Sequence, residues 1–363
     1  MKFDVDKVIL QNSIQKVVNV INPKSSLPVL SNILIETIKD RLSLIATDLD
    51  IGISCEIPVN VGEEGAITIP AKRFADIVRE LPDGKILISV KRNNTVSVES
   101  GDIRFKFMGL PKEEYPKLPE LNNKEVFKIN AGVLKEMINL TYFAISNDET
   151  RYVLNGALLK IENNQISLIA TDGRRMALVE RKIDSVISKD ISIIVPLKTI
   201  QELNRNLNID KEVAIVFGEN QILFNTGDII IISRLIEGDF PDYKQVIPQN
   251  TPGKIRVNRE NLMLAIRRAA LFSTPDYQAV KFEIVKNKLI ISKSTPGLGE
   301  SREEVAAEYG GKELVLGFNP VFLLDVLKNL DEEDVSFDVS AADKPAVIRK
   351  EGYVYIVLPM RLS

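Results

Sequence analysis

The hexapeptide SLIATD occupies residues 43–48 and returns unchanged at residues 167–172. After the first copy the chain continues LDIGI, and after the second it continues GRRMALV. Two interpretations compete: both copies are one structural part of a duplicated module, or one copy carries the chemistry of the protein. A duplicated module predicts further repeats on either side of the hexapeptide, whereas a single active site does not.

Repeats on either side do occur, and they come in threes. Three stretches begin with a short alternating strand and continue as an amphipathic helix. They are FDVDKVILQNSIQKVVNVI (3–21), FKINAGVLKEMINLTYFAI (127–145) and IRVNRENLMLAIRRAALF (255–272). Asp6, Asn130 and Asn258 stand where strand meets helix, and such side chains are good N-caps because they accept hydrogen bonds from the free amides of the first helical turn.

A second helix is predicted in each repeat by a proline followed by apolar residues at three- and four-residue steps. The stretches are IPAKRFADIVREL (69–81), VPLKTIQELNRNL (195–207) and FNPVFLLDVLKNL (318–330). Proline is tolerated in a first helical turn because its missing N–H would be unpaired there anyway. Pro70, Pro196 and Pro320 are therefore predicted to lie in first turns.

Glycines mark a hairpin near the end of each repeat. Gly101, Gly227 and Gly352 each precede a short strand rich in Ile, Val and Phe. Each repeat therefore reads β-α-β-β-β-α-β-β-β, and the predicted fold class is α+β: three repeated domains, each with two helices packed on antiparallel sheets. Linkers rich in Pro and Asn divide the chain into residues 1–120, 121–250 and 251–363. SLIATD ends the same strand in the first two domains, which favours the structural interpretation.

Composition narrows the classes of function. The chain has no His, no Trp, one Cys and a net charge of −3. Without His, the Ser-His-Asp and Cys-His triads and all His-containing metal sites are excluded. Cys55 has no second Cys to pair with, which is typical of a reducing cytoplasm. A strongly basic overall charge, the simplest sign of nucleic-acid binding, is absent.

Two short motifs allow a chemical interpretation. TDLD (47–50) carries two carboxylates, but no third and fourth metal ligand follow at a suitable spacing, so a turn capped by an Asp side chain is favoured. TPGLG (295–299) lacks the strand–GxGxxG–helix context of a dinucleotide site. We therefore expect no metal and no cofactor, and a hydrolase that uses Asp48 and Asp172 is only a distant alternative.

Every predicted helix carries at least one cation. These cations are Lys7, Lys16, Lys72, Arg73, Arg79, Lys135, Lys198, Arg205, Arg259, Arg267, Arg268 and Lys328. A solvated face of mixed charge is the simpler explanation. The alternative is that all the helices line one surface and present a modestly positive face to a polyanion.

Several motifs, taken in order, resemble those of one family. They are the initial MKF, LPVLSNILIE (27–36), ATDGRRMA (170–177), GDFPDY (238–243) and the final LPMRL (358–362). Together they are similar to the bacterial DNA polymerase III β subunits, the replicative sliding clamps, and the resemblance spans the whole chain. It implies a non-catalytic, head-to-tail homodimer in which two three-domain arcs close a ring around double-stranded DNA without reading its sequence.

The resemblance also implies partners. The ring tethers the replicative DNA polymerase and other replication and repair proteins that carry a clamp-binding motif. A clamp loader opens it, and it acts in the cytoplasm, away from membranes. The alternative function is a repeat scaffold that binds peptide motifs without encircling DNA.

Functional positions of the family map onto this chain through its motifs. The DNA contacts implied are Lys24, Arg73 and Tyr152, together with the helix cations Arg205 and Arg267. The dimer joint implied sets Phe105 and Phe107, two exposed phenylalanines on an edge strand, against Leu271 and Phe272. The implied pocket for partner peptides comprises Leu154, Thr171, Gly173, Arg174, Arg175, Met176, Pro241, Val246, Asn319, Phe322, Val357, Pro359, Met360 and Arg361.

The chain departs from the family pattern at four positions. Asp148 stands where Gln is frequent, and an acid near phosphates disfavours that DNA contact. Arg174 replaces a common His, Gln245 a common Arg and Phe322 a common Tyr, which alters the expected peptide preference. The apolar floor of the pocket is retained; it consists of Leu154, Met176, Val357 and Met360.

Overall fold

The structure is a computed structural model that describes residues 1–21, 27–119, 125–183, 189–248 and 253–362. Lys24 and part of each predicted linker lie outside these residues.

In its described residues, the first repeat contains two α-helices and nine strands. The helices are α1 (Lys7–Val18) and α2 (Ala71–Glu80). The strands are β1 (Lys2–Asp6), β2 (Asn32–Ile38), β3 (Arg41–Thr47), β4 (Ile51–Pro58), β5 (Asn60–Glu63), β6 (Gly65–Pro70), β7 (Lys85–Val90), β8 (Thr95–Ser100) and β9 (Ile103–Met108).

The second and third repeats each contain two helices and eight strands in their described residues. The second repeat comprises β10 (Val126–Asn130), α3 (Ala131–Asn139), β11 (Gly156–Glu162), β12 (Gln165–Thr171), β13 (Arg175–Lys182), β14 (Ile191–Pro196), α4 (Leu197–Asn206), β15 (Glu212–Phe217), β16 (Gln221–Asn225) and β17 (Ile229–Arg234). The third comprises β18 (Gly253–Asn258), α5 (Arg259–Ala270), β19 (Val280–Val285), β20 (Lys288–Thr295), β21 (Gly299–Glu308), β22 (Leu314–Phe318), α6 (Pro320–Asn329), β23 (Asp334–Val339), β24 (Ala346–Lys350) and β25 (Tyr353–Val357).

The predicted helix starts are confirmed at the first helix of every repeat. The Asp6 carboxylate accepts hydrogen bonds from the amides of Val8 and Ile9. The side chains of Asn130 and Asn258 accept one each, from the amides three residues further on. These caps satisfy amides that have no partner inside the helix.

The prolines before the second helices are placed differently from the prediction. Pro70 and Pro196 end strands β6 and β14, and only Pro320 begins a helix. The apolar residues that precede them form an additional strand, so each repeat has more strands between its helices than the predicted three. The local signal misses this strand because it pairs with a distant partner: β6 with β2, β14 with β11 and β22 with β19.

The hairpin glycines are confirmed at the turns before β9, β17 and β25. Gly101, Gly227 and Gly352 have φ of +56°, +86° and +61°. Such backbone angles are strained for residues with a Cβ, which explains why glycine recurs at this point.

The strands form three antiparallel sheets. One has five strands in the order β5-β1-β7-β8-β9, and a second has eight in the order β10-β15-β16-β17-β4-β3-β2-β6. The third has twelve, in the order β14-β11-β12-β13-β25-β24-β23-β18-β21-β20-β19-β22. The second sheet joins strands of the first and second repeats through β4 and β17, and the third sheet joins the second and third repeats through β13 and β25.

The chain divides into two compact units that follow these sheets. Unit 1 consists of Met1–Lys135 and Lys198–Leu235, and unit 2 consists of Glu136–Leu197 and Ile236–Ser363. In unit 1, α1 packs on β3 and β4 and buries Leu10, which is fully inaccessible to solvent. Burial of one such side chain contributes about 1.5–3 kcal/mol to folding.

Candidate functional site

The first SLIATD copy ends β3 in a turn held by its own side chains. The Thr47 hydroxyl accepts from the Leu49 amide at 3.0 Å and donates to the Ile51 carbonyl at 2.9 Å. One carboxylate oxygen of Asp48 accepts from the amides of Asp50 and Ile51 at 3.1 and 2.9 Å. The TDLD motif is therefore the Asp-capped turn that the sequence favours.

The second copy ends β12 in the same turn. The Thr171 hydroxyl accepts from the Gly173 amide at 3.0 Å and donates to the Arg175 carbonyl at 2.7 Å. Asp172 accepts from the amides of Arg174 and Arg175 at 2.8 and 3.0 Å. The third residue of each turn is left-handed, with φ of +81° at Leu49 and +82° at Gly173.

Each turn is also joined to a neighbouring strand in the same way. The Arg234 amide, at the end of β17, donates to the Asp50 carbonyl at 2.8 Å. The Leu358 amide, just after β25, donates to the Arg174 carbonyl at 2.9 Å. The hexapeptide is thus a repeated structural part, and any functional difference lies in what surrounds each turn.

Arg175 distinguishes the second turn from the first, where Ile51 takes its place. Its side chain is 9% exposed and pairs with Asp172 at 3.0 Å and with Asp325 at 2.7 Å. It also donates to the Phe143 carbonyl. One guanidinium therefore fastens the turn to α6, which carries Asp325.

The surroundings of Arg175 keep it charged. Its guanidinium carbon lies 4.4 Å from the centre of the Phe322 ring, a distance typical of cation–π contact. Burial by itself disfavours the charged form, but the Tyr355 oxygen and the two carboxylates outweigh it and raise the pKa of Arg175. Burial also disfavours the charged form of Tyr355, which for a phenol raises the pKa, and the Tyr355 hydroxyl donates to the Phe322 carbonyl at 2.8 Å.

The first turn is covered by a lysine. Lys198, the second residue of α4, forms an ion pair with Asp48 and donates to the Val20 carbonyl at 2.7 Å. The second residue of α6 is Val321, which is 54% exposed and cannot form such a pair. The Lys198 ammonium group therefore covers the first turn, whereas the second turn has no cation from the equivalent position of α6.

Beside the second turn lies an open cavity of about 450 Å³. Its lining residues are Arg174, Pro275, Asp276, Gln278, Phe322, Leu358, Pro359 and Met360. Four of the residues predicted for the peptide pocket, Arg174, Phe322, Pro359 and Met360, line this cavity. A concave surface with an apolar base and a few polar groups is typical of a binding site.

The remaining predicted pocket residues are arranged around it. Three of the four residues expected to form the apolar floor are buried in the core: Leu154, Met176 and Val357 are 6%, 3% and 1% exposed. Of the four, only Met360 lines the cavity. The Arg175 side chain is 9% exposed, and the others are half-buried or exposed: Thr171, Gly173, Pro241, Val246, Asn319 and Arg361.

Sequence reasoning missed four lining residues, Pro275, Asp276, Gln278 and Leu358. The first three belong to the loop after α5, whose Thr-Pro-Asp motif signals a turn but gives no direction in space. Leu358 directly follows β25, and 44% of its surface is exposed.

The described residues predicted to contact DNA are all exposed. Arg73 lies on α2, Arg267 on α5 and Tyr152 in a short 3₁₀ stretch, with 58% of Tyr152 accessible. Arg205, on α4, is paired with Glu202 one turn earlier. Several other helix cations are already engaged: Lys7 pairs with Asp83, Arg79 with Asp76 and Arg268 with Glu303.

Glu202, the partner of Arg205, is an uncommon buried acid. Its side chain is 2% exposed, and its second oxygen has no hydrogen-bond partner among the described residues. Glu202 is the sixth residue of α4, as Asp325 is of α6, but the turn in its unit is the first copy, which has Ile51 where the second copy has Arg175. Burial raises the pKa of Glu202 despite the nearby cations Arg205 and Lys198.

We expect Glu202→Gln to stabilise the protein at neutral pH. Because the folded-state pKa is raised, unfolding releases a proton above the ordinary value of 4.5, and stability falls as pH rises through the folded pKa. Thermal midpoints measured between pH 4.5 and 8 should fall less with pH for Glu202→Gln than for the wild type. Glu219→Gln, at an exposed turn, is the matched control and should change nothing; identical profiles for Glu202→Gln and the wild type would contradict the prediction.

The predicted joint residues are partly exposed. Leu271 is 75% exposed, Phe272 is half-buried and Phe105 is 37% exposed. The expectation that Phe107 is exposed is wrong: it is 8% exposed, because it lies opposite the fully buried Val96 near the end of β9. Ile103, which alternates with Phe105 and Phe107 on one face of β9 and is 41% exposed, was missed.

Two strands have open edges near these residues. Within the described part of the chain, β9 pairs only with β8 and ends its sheet. β21 pairs with β20 from Gly299 to Ala306, but with β18 only at Ala307 and Glu308. The rest of its second edge is therefore free among the described residues, and an open edge is a template for another strand.

No group of three or more Cys, Asp or Glu side chains among the described residues is arranged to hold a metal ion. None of the helices described is long and apolar enough to cross a membrane.

Three family descriptions match the chain in succession. Residues 1–119 match the N-terminal domain of the DNA polymerase III beta subunit, residues 128–242 its central domain and residues 244–361 its C-terminal domain.

Known proteins are similar to this chain along its full length. The beta sliding clamp of Chlamydia muridarum is 34% identical, covering 100% of this chain and 99% of that protein. The crystal structure of a DNA polymerase sliding clamp from Bacillus subtilis aligns with a TM-score of 0.95 at 32% identity and covers 100% of both chains. A Bartonella birtlesii sliding clamp bound to griselimycin aligns with a TM-score of 0.95 at 35% identity, again over 100% of both chains.

Proposed function

The chain belongs to the DNA polymerase III beta subunit family, the bacterial beta sliding clamps, and on that premise we propose that two copies of it close a ring around double-stranded DNA. Members of this family are non-catalytic processivity factors, and membership implies a dimeric ring and partnership with DNA polymerase III. We further propose that the chain forms three clamp domains, at residues 1–120, 121–250 and 251–363, and acts in the cytoplasm.

The observation that carries this proposal is the pair of open strand edges. β9 of one copy, with Ile103 and Phe105, would pair with the free edge of β21 in the other copy, beside Leu271. One edge belongs to the first repeat and the other to the third, so the contact is head-to-tail. A twofold axis then produces two such joints and closes the assembly.

Charge supports this pairing. β9 presents Arg104 and Lys106 to solvent, whereas β21 presents Glu300, Glu304 and Glu308 and one cation, Arg302, so that its exposed charge is negative on balance. Opposite charges on facing strands favour pairing, and two like edges would repel each other. The charges therefore favour β9 against β21 over either strand against itself.

The proposed DNA contacts need only be weakly basic. Arg73, Arg205 and Arg267 place one cation on a helix of each repeat, with Lys24 and Tyr152 as further contacts. Phosphate contacts hold a duplex without specifying its sequence and permit sliding. A net charge of −3 suits such a protein, because the rest of its surface should not adhere to DNA.

The open cavity beside Arg174 is the proposed docking site for partners. A linear peptide with two bulky apolar residues would place them against Phe322, Leu358 and Met360. The replicative polymerase, the clamp loader and other clamp-binding proteins would then compete for one site on each copy.

Topological retention is the sharpest test of the ring. Protein loaded on closed circular DNA by a clamp loader ATPase should stay bound in gel filtration at about 0.5 M salt, because screening weakens phosphate contacts but not a topological link. One double-strand cut should release it within minutes. Protein that remains on the cut DNA would indicate ordinary affinity, and protein that never stays on the circle would favour a scaffold that does not encircle DNA.

A further inference from the structure

The cavity beside Arg174 has a second wall that the family resemblance did not identify. It is the loop after α5, in which the amides and carbonyls of Thr274 and Tyr277 bond each other at 3.1 and 3.2 Å. Asn319, the N-cap of α6, donates through its side chain to that of Gln278 at 3.4 Å. The loop is therefore held against α6, and its side chains have a defined place on the cavity rim.

Two opposite charges on this rim have no ion-pair partner within the described parts of the chain. Asp276 and Arg174 are both exposed, and neither side chain has an ion pair within 4.0 Å among the described residues. Their neighbours behave differently: Arg175 forms ion pairs with both Asp172 and Asp325. Both rim charges are thus available to a ligand, and the apolar groups of Phe322, Pro359 and Met360 lie in the same cavity.

The chemistry of the rim selects the kind of ligand. A phosphate-rich ligand would meet Arg174 but would be repelled by Asp276, so the cavity does not suit a nucleic acid. A purely apolar ligand would leave both charges partly desolvated without a partner, which is unfavourable. A peptide that offers one group to each charge satisfies both.

We propose that Asp276 and Arg174 are specificity-determining residues of this pocket. They select peptides that carry, beside the apolar residues, a basic side chain opposite Asp276 and an acidic side chain opposite Arg174. This inference rests on the proposed function, because it assumes that the cavity binds partner peptides. Charges on the rim of an interface act mainly through selectivity, association rate and salt dependence.

The test uses labelled ten-residue peptides with a central Leu-Phe pair. Each other position is replaced in turn by Lys, Glu or Ala, and binding to the full-length protein is measured by fluorescence anisotropy at 50 and 300 mM salt. At one position or more, the wild type should prefer Lys to Glu by about five- to tenfold, in keeping with a partly screened ion pair. Asp276→Lys should invert that preference, and Arg174→Glu should invert a preference for Glu at a different position.

The controls separate this inference from its premise. Asp343→Lys makes the same charge change in an exposed turn that does not line the cavity, and it should leave the preferences intact. If Asp276→Lys and Asp343→Lys shift all peptides equally, or the wild type shows no preference at any position, the specificity assignment is overturned while the pocket stands. If no peptide binds the wild type, the pocket itself is overturned. The all-Ala peptide should bind Asp276→Lys as it binds the wild type, which shows that the variant is folded.

Discussion

Leu271→Asp should turn the proposed dimer into a monomer at micromolar concentration. The leucine is 75% exposed in one copy, and covering it at a joint contributes about 2–3 kcal/mol. The proposed ring has two joints, so the loss of association free energy per dimer is about 4–6 kcal/mol. A loss of this size raises the dissociation constant by about 10³- to 10⁴-fold. A carboxylate placed against Ile103 and Phe105 of the other copy adds its own desolvation.

Sedimentation equilibrium over a range of concentrations measures this constant directly. The matched control is Ile209→Asp, because Ile209 is also a large apolar residue, 58% exposed, but lies in the turn before β15 and outside the proposed joint. That variant should dimerise like the wild type. A Leu271→Asp protein that remains dimeric would place the joint elsewhere on the molecule.

Features fixed by local chemistry were predictable from the sequence. The caps at Asp6 and Asn258 and the positive φ of Gly101 depend on groups within three residues, so residue type alone identifies them. The repeated SLIATD could be assigned to a structural turn because the flanking repeats require one strand end to recur. Repetition was therefore the strongest signal in the chain.

Features that depend on distant partners were not predictable. The residues before Pro70 look like the approach to a helix, and only their pairing with β2 makes them a strand. The same limit applies to the joining of repeats. Because β4 pairs with β17 and β13 with β25, two of the sheets run from one repeat into the next, although the sequence suggests separate domains joined by linkers.

The candidate site shows this limit most clearly. Both turns contain an Asp at the same position, and sequence alone does not reveal that Lys198 covers Asp48. Nor does it reveal that the loop with Asp276 forms a wall of the cavity. The identity of the pocket side chains could be carried over from a resemblance, but their exposure could not, as the burial of Leu154, Met176 and Val357 demonstrates.

Arg175→Ala should destabilise the second turn by about 3–5 kcal/mol, the range typical of breaking a buried ion pair by removing one partner. The substitution leaves the carboxylates of Asp172 and Asp325 facing each other without a cation, and these side chains are only 16% and 25% exposed. It also removes the contact with the Phe322 ring. Hydrogen exchange of the amides in β13 and α6 should therefore accelerate by about 10²- to 5 × 10³-fold. Affinity for partner peptides should fall because the turn and α6 are no longer fastened together.

A neighbouring arginine provides the control, because Arg174→Ala removes an exposed side chain from the same turn and should change exchange by less than about threefold. The triple variant Arg175→Ala, Asp172→Asn, Asp325→Asn tests the mechanism. If most of the loss comes from carboxylates left without a cation, neutralising them should restore part of it, since a neutral amide costs less to bury than a charge. If the triple variant is instead less stable than Arg175→Ala alone, the loss comes from the missing contacts of the guanidinium with Phe322 and Phe143, and the fastening of the turn to α6 is mainly packing.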